Sequence, residues 1–386
     1  MRAVRGLALR IRHRITAIAS VFVLLVAGEL HAENRVASNL SLYTDDDATD
    51  VVTSVTRISA DPWEGGTVEA SYLIDIISSA SVDLVSSATG RFDENRHALG
   101  GAVTHALDGK SFNLNYGYSQ ENDYVGHGIG AGANFELAER NATLGVSYAL
   151  ELSQIGRADD PTFEEGLTTH AIDVNGSQIL TPWLVVNGGY ALALQNGYLA
   201  KPYRYARLGN NGIVTQPGAS GSLQTERLFT PESGVPETHP DFRMRNALYA
   251  GIKAHIVRET AAELRYRFYV DNWALSGHTI EALGHLGWNK NFGARFRYRF
   301  YAQGAASFYQ FDYATPQRYM TRDRELSPLT SHLVGLKLFA RVEDLGFLSA
   351  LGITAKADLF RYDYSDFPLL PTRQGFVLET GVEAVF

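Results

Sequence analysis

Apolar and polar positions alternate at period two along most of this chain, and the last twelve residues show it best. Phe376, Leu378, Thr380, Val382, Ala384 and Phe386 share one face, while Glu379, Gly381 and Glu383 share the other. A strand keeps such a pattern when one side meets an apolar medium and the other meets water or polar side chains. The alternation recurs upstream. Ala262, Leu264, Tyr266, Phe268 and Val270 oppose Glu263, Arg265, Arg267 and Tyr269, and Phe296, Tyr298 and Phe300 oppose Arg295, Arg297 and Arg299. Phe112, Leu114, Tyr116 and Tyr118 oppose Asn113, Asn115 and Ser119, and Leu248, Ala250, Ile252 and Ala254 oppose Tyr249, Lys253 and His255. A soluble sandwich turns its apolar face inward and rarely sustains so many strands with charged partners. A transmembrane barrel reverses the faces, with apolar side chains toward lipid and polar ones toward the lumen.

The connections alternate as well. Short turns at 108–110, 138–141, 180–182, 257–260, 288–291 and 343–346 are separated by longer polar segments at 152–166, 197–244, 313–328 and 365–374. Counting back from a final strand that ends on the short-turn side, the alternation stays in phase to a first strand near 36–43. The pattern therefore predicts an all-β fold, a transmembrane antiparallel β-barrel of about 16 strands. A count of 14 also satisfies closure, because the first hundred residues alternate weakly and 51–60 fits either phase. The segment at about 197–244 is too long for a plain connection, and its Pro, Gly, Ser and Tyr content suits an external cap or an inward constriction. A mobile surface loop is the plainer alternative.

The amino terminus agrees with export. Arg2, Arg5, Arg10, Arg12 and Arg14 precede an apolar run at 15–27, and cleavage after Ala32 makes 1–32 a signal peptide, leaving 33–386 as the barrel. No later segment reaches the roughly 20 apolar residues of a spanning helix. An aromatic carboxy-terminal residue resembles the closing strand of bacterial outer-membrane barrels. The expected location is thus the cell outer membrane, with its lipid and the barrel assembly machinery as partners. Removing 1–32 leaves 29 basic and 41 acidic side chains, a balance that argues against nucleic acid. The absence of cysteine excludes a disulfide framework and a thiolate metal site.

Two constellations carry candidate chemistry. Asp45, Asp46, Asp47 and Asp50 lie in one loop, followed by Asp75, Ser78, Ser79, Ser81, Asp83, Asp93, Glu94 and Arg96. In the 16-strand count both runs reach the same rim. Oxygen-only clusters suit calcium, so Asp45, Asp46, Asp47, Asp50, Asp75 and Asp83 are candidate ligands. The EF-hand spacing is not met, since Asp50 stands where that loop needs glycine, and a solvated acidic loop explains the same residues. Tyr43-Thr44-Asp45-Asp46-Asp47, the stretch Asp75-Ile76-Ile77-Ser78-Ser79-Ala80-Ser81-Val82-Asp83 and Glu94-Asn95-Arg96 together resemble the signature of an uncharacterised bacterial family. That family is a domain of unknown function read as an outer-membrane β-barrel, and the resemblance implies a barrel with no activity to carry over. A hydrolase can also be drawn, with Ser78, Ser79 or Ser81 beside His97 and Asp83 or Glu94. No nucleophile elbow or zinc-binding helix motif supports it, and no catalytic residue is assigned. His105, His170 and His285 lack metal spacing.

The second constellation follows from strand phase. The inferred lumen face carries Arg265, Arg267, Arg295, Arg297, Arg299, Lys337, Arg341 and Lys356, with Glu263, Asp358, Glu379 and Glu383 among them. Glu69, Asp75, Asn113 and Asn115 are the inward candidates of the amino-terminal side. A basic wall opposite an acidic or neutral one sets a transverse field that favours a pore for a small charged solute. The competing reading is a closed lumen filled by mutual ion pairs.

Overall fold

The computed structural model describes residues 34–79, 92–208, 214–217, 223–226, 234–257 and 259–386. The signal sequence expected at 1–32, and Ser81 and Asp83, lie outside the described residues, as does part of the 197–244 segment. Nine strands come first: β1 (Arg35–Asp45), β2 (Thr49–Trp63), β3 (Gly66–Ser79), β4 (Phe92–Leu107), β5 (Lys110–Gln120), β6 (Tyr124–Leu137), β7 (Ala142–Ile155), β8 (Glu165–Thr181) and β9 (Leu184–Gly197). Four short strands follow, β10 (Tyr205–Arg207), β11 (Val214–Pro217), β12 (Leu223–Glu226) and β13 (Gly234–Pro236). The chain then resumes long strands as β14 (Phe242–Val257), β15 (Thr260–Asp271), β16 (Ser276–Asn289), β17 (Phe292–Gln303), β18 (Leu329–Leu345), β19 (Leu348–Tyr364) and β20 (Thr372–Val385).

The sixteen long strands form one closed antiparallel barrel in chain order, with β9 beside β14 and β1 beside β20. Leu40 stands opposite Thr380 across the closing pair. Closure leaves no unpaired edge, which a membrane-spanning sheet requires because lipid cannot satisfy backbone polar groups. β2 resolves its ambiguous phase through its neighbours. Thr53 stands opposite both Ser41 and the inward Asp75, so Val51, Val55 and Arg57 face in. Valines on both faces hide that phase in the sequence.

Outward positions are apolar and exposed. Leu114, Ile129, Leu248, Leu264, Phe296, Val334, Leu359 and Leu378 belong to this band. The short-turn rim adds Trp63, Trp183, Trp288, Phe292, Phe347 and Phe386, all exposed. Tight turns there use left-handed glycines, as at Gly109 (φ 67°) and Gly346 (φ 77°), where a side chain would be strained.

The long-loop rim has its own girdle, built from one repeated contact. The Tyr hydroxyl lies 2.7–2.9 Å from His Nδ1 in Tyr72–His97, Tyr116–His127, Tyr148–His170, Tyr266–His278 and Tyr298–His332. In each case the histidine is two residues before the apolar residue opposite the tyrosine, for example Ile129 opposite Tyr116. Tyr190 makes the same diagonal contact to Asn246, at 2.6 Å. Phe292 on one girdle and Phe300 beside the other are eight residues apart, about 26 Å along a strand at roughly 3.3 Å per residue. Allowing for strand tilt, that matches a thin apolar band of roughly 25 Å.

The buried apolar clusters lie over the long-loop mouth. The connection 304–328 between β17 and β18 contributes to all three. Ala306, Phe308, Tyr309 and Leu326 pack with Trp273 and Leu275, Phe311 packs with Leu329, Tyr364 and Phe367, and Tyr313 and Met320 pack with Ala206. At roughly 1.5–3 kcal/mol for each large apolar side chain buried, this is a folded cap. Its buried ties reach around the mouth. Arg324 pairs with Asp47 at 2.5 Å, Asp323 with Lys201 at 2.8 Å and Arg204 at 3.1 Å, and Arg207 with Asp312 at 3.2 Å. Thr321 Oγ1 and the Arg322 amide both donate to Glu237. The expected polar segment at 313–328 thus begins earlier, at 304, because its aromatic stretch serves the cap core where the sequence reads like strand.

Candidate functional site

The lumen has two unlike walls. On β14, β15 and β17 to β19 many inward positions are cationic. In register across adjacent strands stand Arg295, Lys337 and Lys356, then Glu379 on β20. Like charges directly opposite one another are destabilising unless water or anions screen them. A neighbouring row pairs its charges. Arg265 bonds Glu263 at 2.5 Å and Glu281 at 3.1 Å, and Arg297 bonds Glu281 at 2.6 Å with Asp358 at 3.7 Å. Lys356 pairs with Asp358 at 3.2 Å and Glu379 at 3.4 Å, while Glu383 stands 3.9 Å from Arg341.

Among the described residues Arg245, Lys253, Arg267, Arg295, Arg299 and Lys337 make no ion pair within 4 Å, although Arg245 stands opposite Asp271, Lys253 opposite Glu263 and Arg299 opposite Glu281 in register. Some cations of this wall are therefore paired with carboxylates and others are not. Glu281, Asp271, Arg243 and Arg245 belong to this wall and were missed. Glu281 and Asp271 sit one strand away from the arginines they hold, so only the register between strands reveals them.

Away from the cationic wall, β5 to β8 carry mostly glycine, asparagine and serine inward, with the acids Glu136, Glu151 and Asp173 among them. Asn115 stands opposite Gly130 and Asn113 opposite Gly132. A Cβ at Gly130 would lie 2.7 Å from the Asn115 side chain, and one at Gly132 would lie 2.6 Å from Asn113. The amides therefore lie flat over the glycines. Gly145 is covered in the same way by Asn134 and Asn175. This keeps the wall low and leaves the lumen space to the arginines.

Among the described residues the candidate calcium ligands are not gathered into one cage. Asp45 accepts the backbone N–H groups of Asp47 and Thr49 and the Tyr43 hydroxyl at 2.6 Å. Asp46 accepts the Gln374 amide, Asp47 holds Arg324, and Asp75 accepts from Thr53 at 2.5 Å with Arg96 at 3.7 Å. Asp50 is exposed, on the opposite face of β2 from Thr53. The acids that do converge are Glu94, Glu121 and Asp123, with carboxylate oxygens within 4.8 Å of one another. Glu121 and Asp123 come from the turn after β5, which the sequence reading passed over. Among the described residues Ser79 and His97 of the drawn hydrolase are not brought together. Ser79 bonds Thr49 at 2.8 Å on the inward face, whereas His97 bonds Tyr72 on the outward one.

Between the arginine wall and the cap lies a cavity of about 470 Å³. Arg243, Arg245, Arg267, Tyr269 and Tyr301 line it from the barrel, and Leu199, Lys201, Trp273 and Leu326 from the cap side. Arg243 is clamped by Asp271 at 2.6 Å and stacks 4.1 Å over Trp273.

The model of the family described as a protein of unknown function (DUF3570) matches residues 159–361. The chain belongs to this family. The matched stretch runs from the loop after β7 into β19, past most of the cationic wall, and does not include the early Asp/Ser segments. No curated protein matches. Solved structures with a similar trace include the siderophore receptor PirA from Pseudomonas aeruginosa (10% identity, TM-score 0.45, covering 92% of this chain and 62% of the receptor). Others are outer membrane protein OpdK from the same organism (10%, 0.45, 93% and 100%) and CdiB from Acinetobacter baumannii (8%, 0.48, 92% and 60%). The chain thus spans less than two thirds of PirA and of CdiB.

Proposed function

We propose that this barrel is an outer-membrane channel through which small charged solutes, anions above all, cross the bilayer. In this reading residues 1–32 direct export and are removed, the assembly machinery engages β20, and the long-loop rim faces outward. The observation that carries it is the set of inward cations without an ion pair, gathered on one side of a lumen whose acids Glu136, Glu151 and Asp173 stand on the other. A lumen built to be filled would pair such charges, because an unpaired buried cation is costly. Water and passing anions are the partners these side chains have left. Sixteen strands are enough for an aqueous passage.

The test is single-channel conductance of the refolded mature protein in a planar bilayer, with reversal potentials in a salt gradient. Steady steps with anion preference are expected, and Arg267→Glu with Arg295→Glu should shift selectivity toward cations. Unchanged selectivity in folded variants would sink the reading. Arg297 is the wrong probe, since its reversal would set like charges against Glu281 and Asp358 and disturb the wall itself.

A further inference from the structure

The cavity beneath the cap has an unbalanced inventory. Of its cations, Arg243 is neutralised by Asp271 and Lys201 by Asp323. Of its carboxylates, Asp323 is shared with Arg204, and Glu325 lies 3.8 Å from Arg373 and 3.8 Å from Arg324. Arg245, which stands opposite Asp271 in register, and Arg267 have no ion pair of their own. Arg245 Nε is buried with no acceptor, and Arg267 has its guanidinium 5.5 Å over the Tyr269 ring with no carboxylate in reach. Gln195 Oε1, also in the lining, is buried without a donor. The rest of the lining is mainly apolar or aromatic, with Leu167, Leu199, Leu275, Leu326 and Trp273, and adds Gln303 and His239, the latter 3.4 Å from Glu237.

We infer that this cavity is a binding station for a small carboxylic acid with a compact apolar body and a hydrogen-bond donor beside the carboxylate. The carboxylate lies against Arg245 and Arg267, where a planar fork matches a carboxylate bidentately. The donor, a hydroxyl or ammonium, satisfies Gln195 Oε1, and the apolar body covers the leucines and Trp273. A volume near 470 Å³ suits a ligand at the small end of typical sites. The inference rests on the channel reading and names the solute class of that channel. Two leftover cations set the charge the site accepts, and the leucines disfavour inorganic anions.

Trp273 supplies the readout, since the other three tryptophans (Trp63, Trp183 and Trp288) lie on the short-turn rim. The folded barrel in detergent is titrated with 2-hydroxy-4-methylpentanoate and with its neutral amide, following tryptophan emission. The acid should give a saturable change that is absent in Trp273→Phe, and the amide should bind at least tenfold more weakly. Arg245→Gln with Arg267→Gln should lose at least tenfold affinity while keeping the gel mobility of a folded barrel. Gln195→Leu should weaken the hydroxy acid more than 4-methylpentanoate. Equal response to acid and amide, or undiminished affinity in the double variant, overturns the site. Conductance of the same preparations separates the two claims. Steps without binding overturn the station alone, and binding without steps overturns the channel alone.

Discussion

Asp323 shows how one side chain holds the mouth together. Burial works to raise its carboxyl, but Arg204 and Lys201 outweigh that and hold it well below the usual carboxylate range. A carboxyl depressed in the folded state stabilises it above the unfolded value, near 3.9, and that contribution fades as pH falls below it. The cap should therefore keep its protease resistance from neutral pH to about 4 and loosen below that, while the barrel persists. Asp323→Asn should loosen the cap already at neutral pH and flatten the acid dependence; a wild-type profile in that variant would count against the tie. Gly132 makes the opposite kind of case. A Cβ there lies 2.6 Å from the Asn113 amide oxygen and in ordinary contact with Ser147 Cβ at 3.4 Å, and the amide can swing into the lumen. The expected outcome for Gly132→Val is unimpaired thermal stability, since a β-branched residue suits a strand, with a smaller single-channel conductance.

At the scale of elements, the connection 304–328 is the least legible part of the chain. Its aromatic residues alternate enough to resemble strand, yet Phe308, Phe311 and Tyr313 pack against loops distant in sequence, and nothing local announces that destination. Burial pushes the Tyr313 hydroxyl up to about 12, as expected of a phenol that bonds only backbone, at Phe308 and Thr321. Replacing 305–327 by a short turn should leave a heat-resistant barrel with larger conductance and faster cleavage within 198–241. A barrel that fails to insert without the cap would contradict the view that sheet and cap stabilise themselves separately. The histidine girdle, by contrast, was written in the sequence and overlooked. His97-Ala98-Leu99, His127-Gly128-Ile129, His170-Ala171-Ile172, His278-Thr279-Ile280 and His332-Leu333-Val334 each start a return strand with the same His-x-aliphatic step. His170 looked like a scattered histidine because metal spacing was sought rather than a period set by hairpins.

For the whole molecule, strand number, phase and the sidedness of turns were readable because lipid imposes one rule on every strand. In the channel reading that phase turns Arg265, Arg267, Arg295, Arg297, Arg299, Lys337, Glu379 and Glu383 toward the lumen. Which of them are neutralised does not follow from it, because Glu281 and Asp271 reach their arginines across strands through a register that periodicity cannot supply. The Asp45–Asp50 cluster was misleading for a related reason. Composition marks acids that share a rim, but turn backbone and cap arginines had already claimed most of them. Among those contacts, Asp47 with Arg324 joins residues 277 apart in sequence. Asp47 follows β1, and Arg324 lies among the last strands, so the pair bridges the line where β1 meets β20. The two residues are neighbours only in a cylinder that has already shut. This one tie therefore acts as a latch across the closing line, and its presence reports that the first and last strands have met.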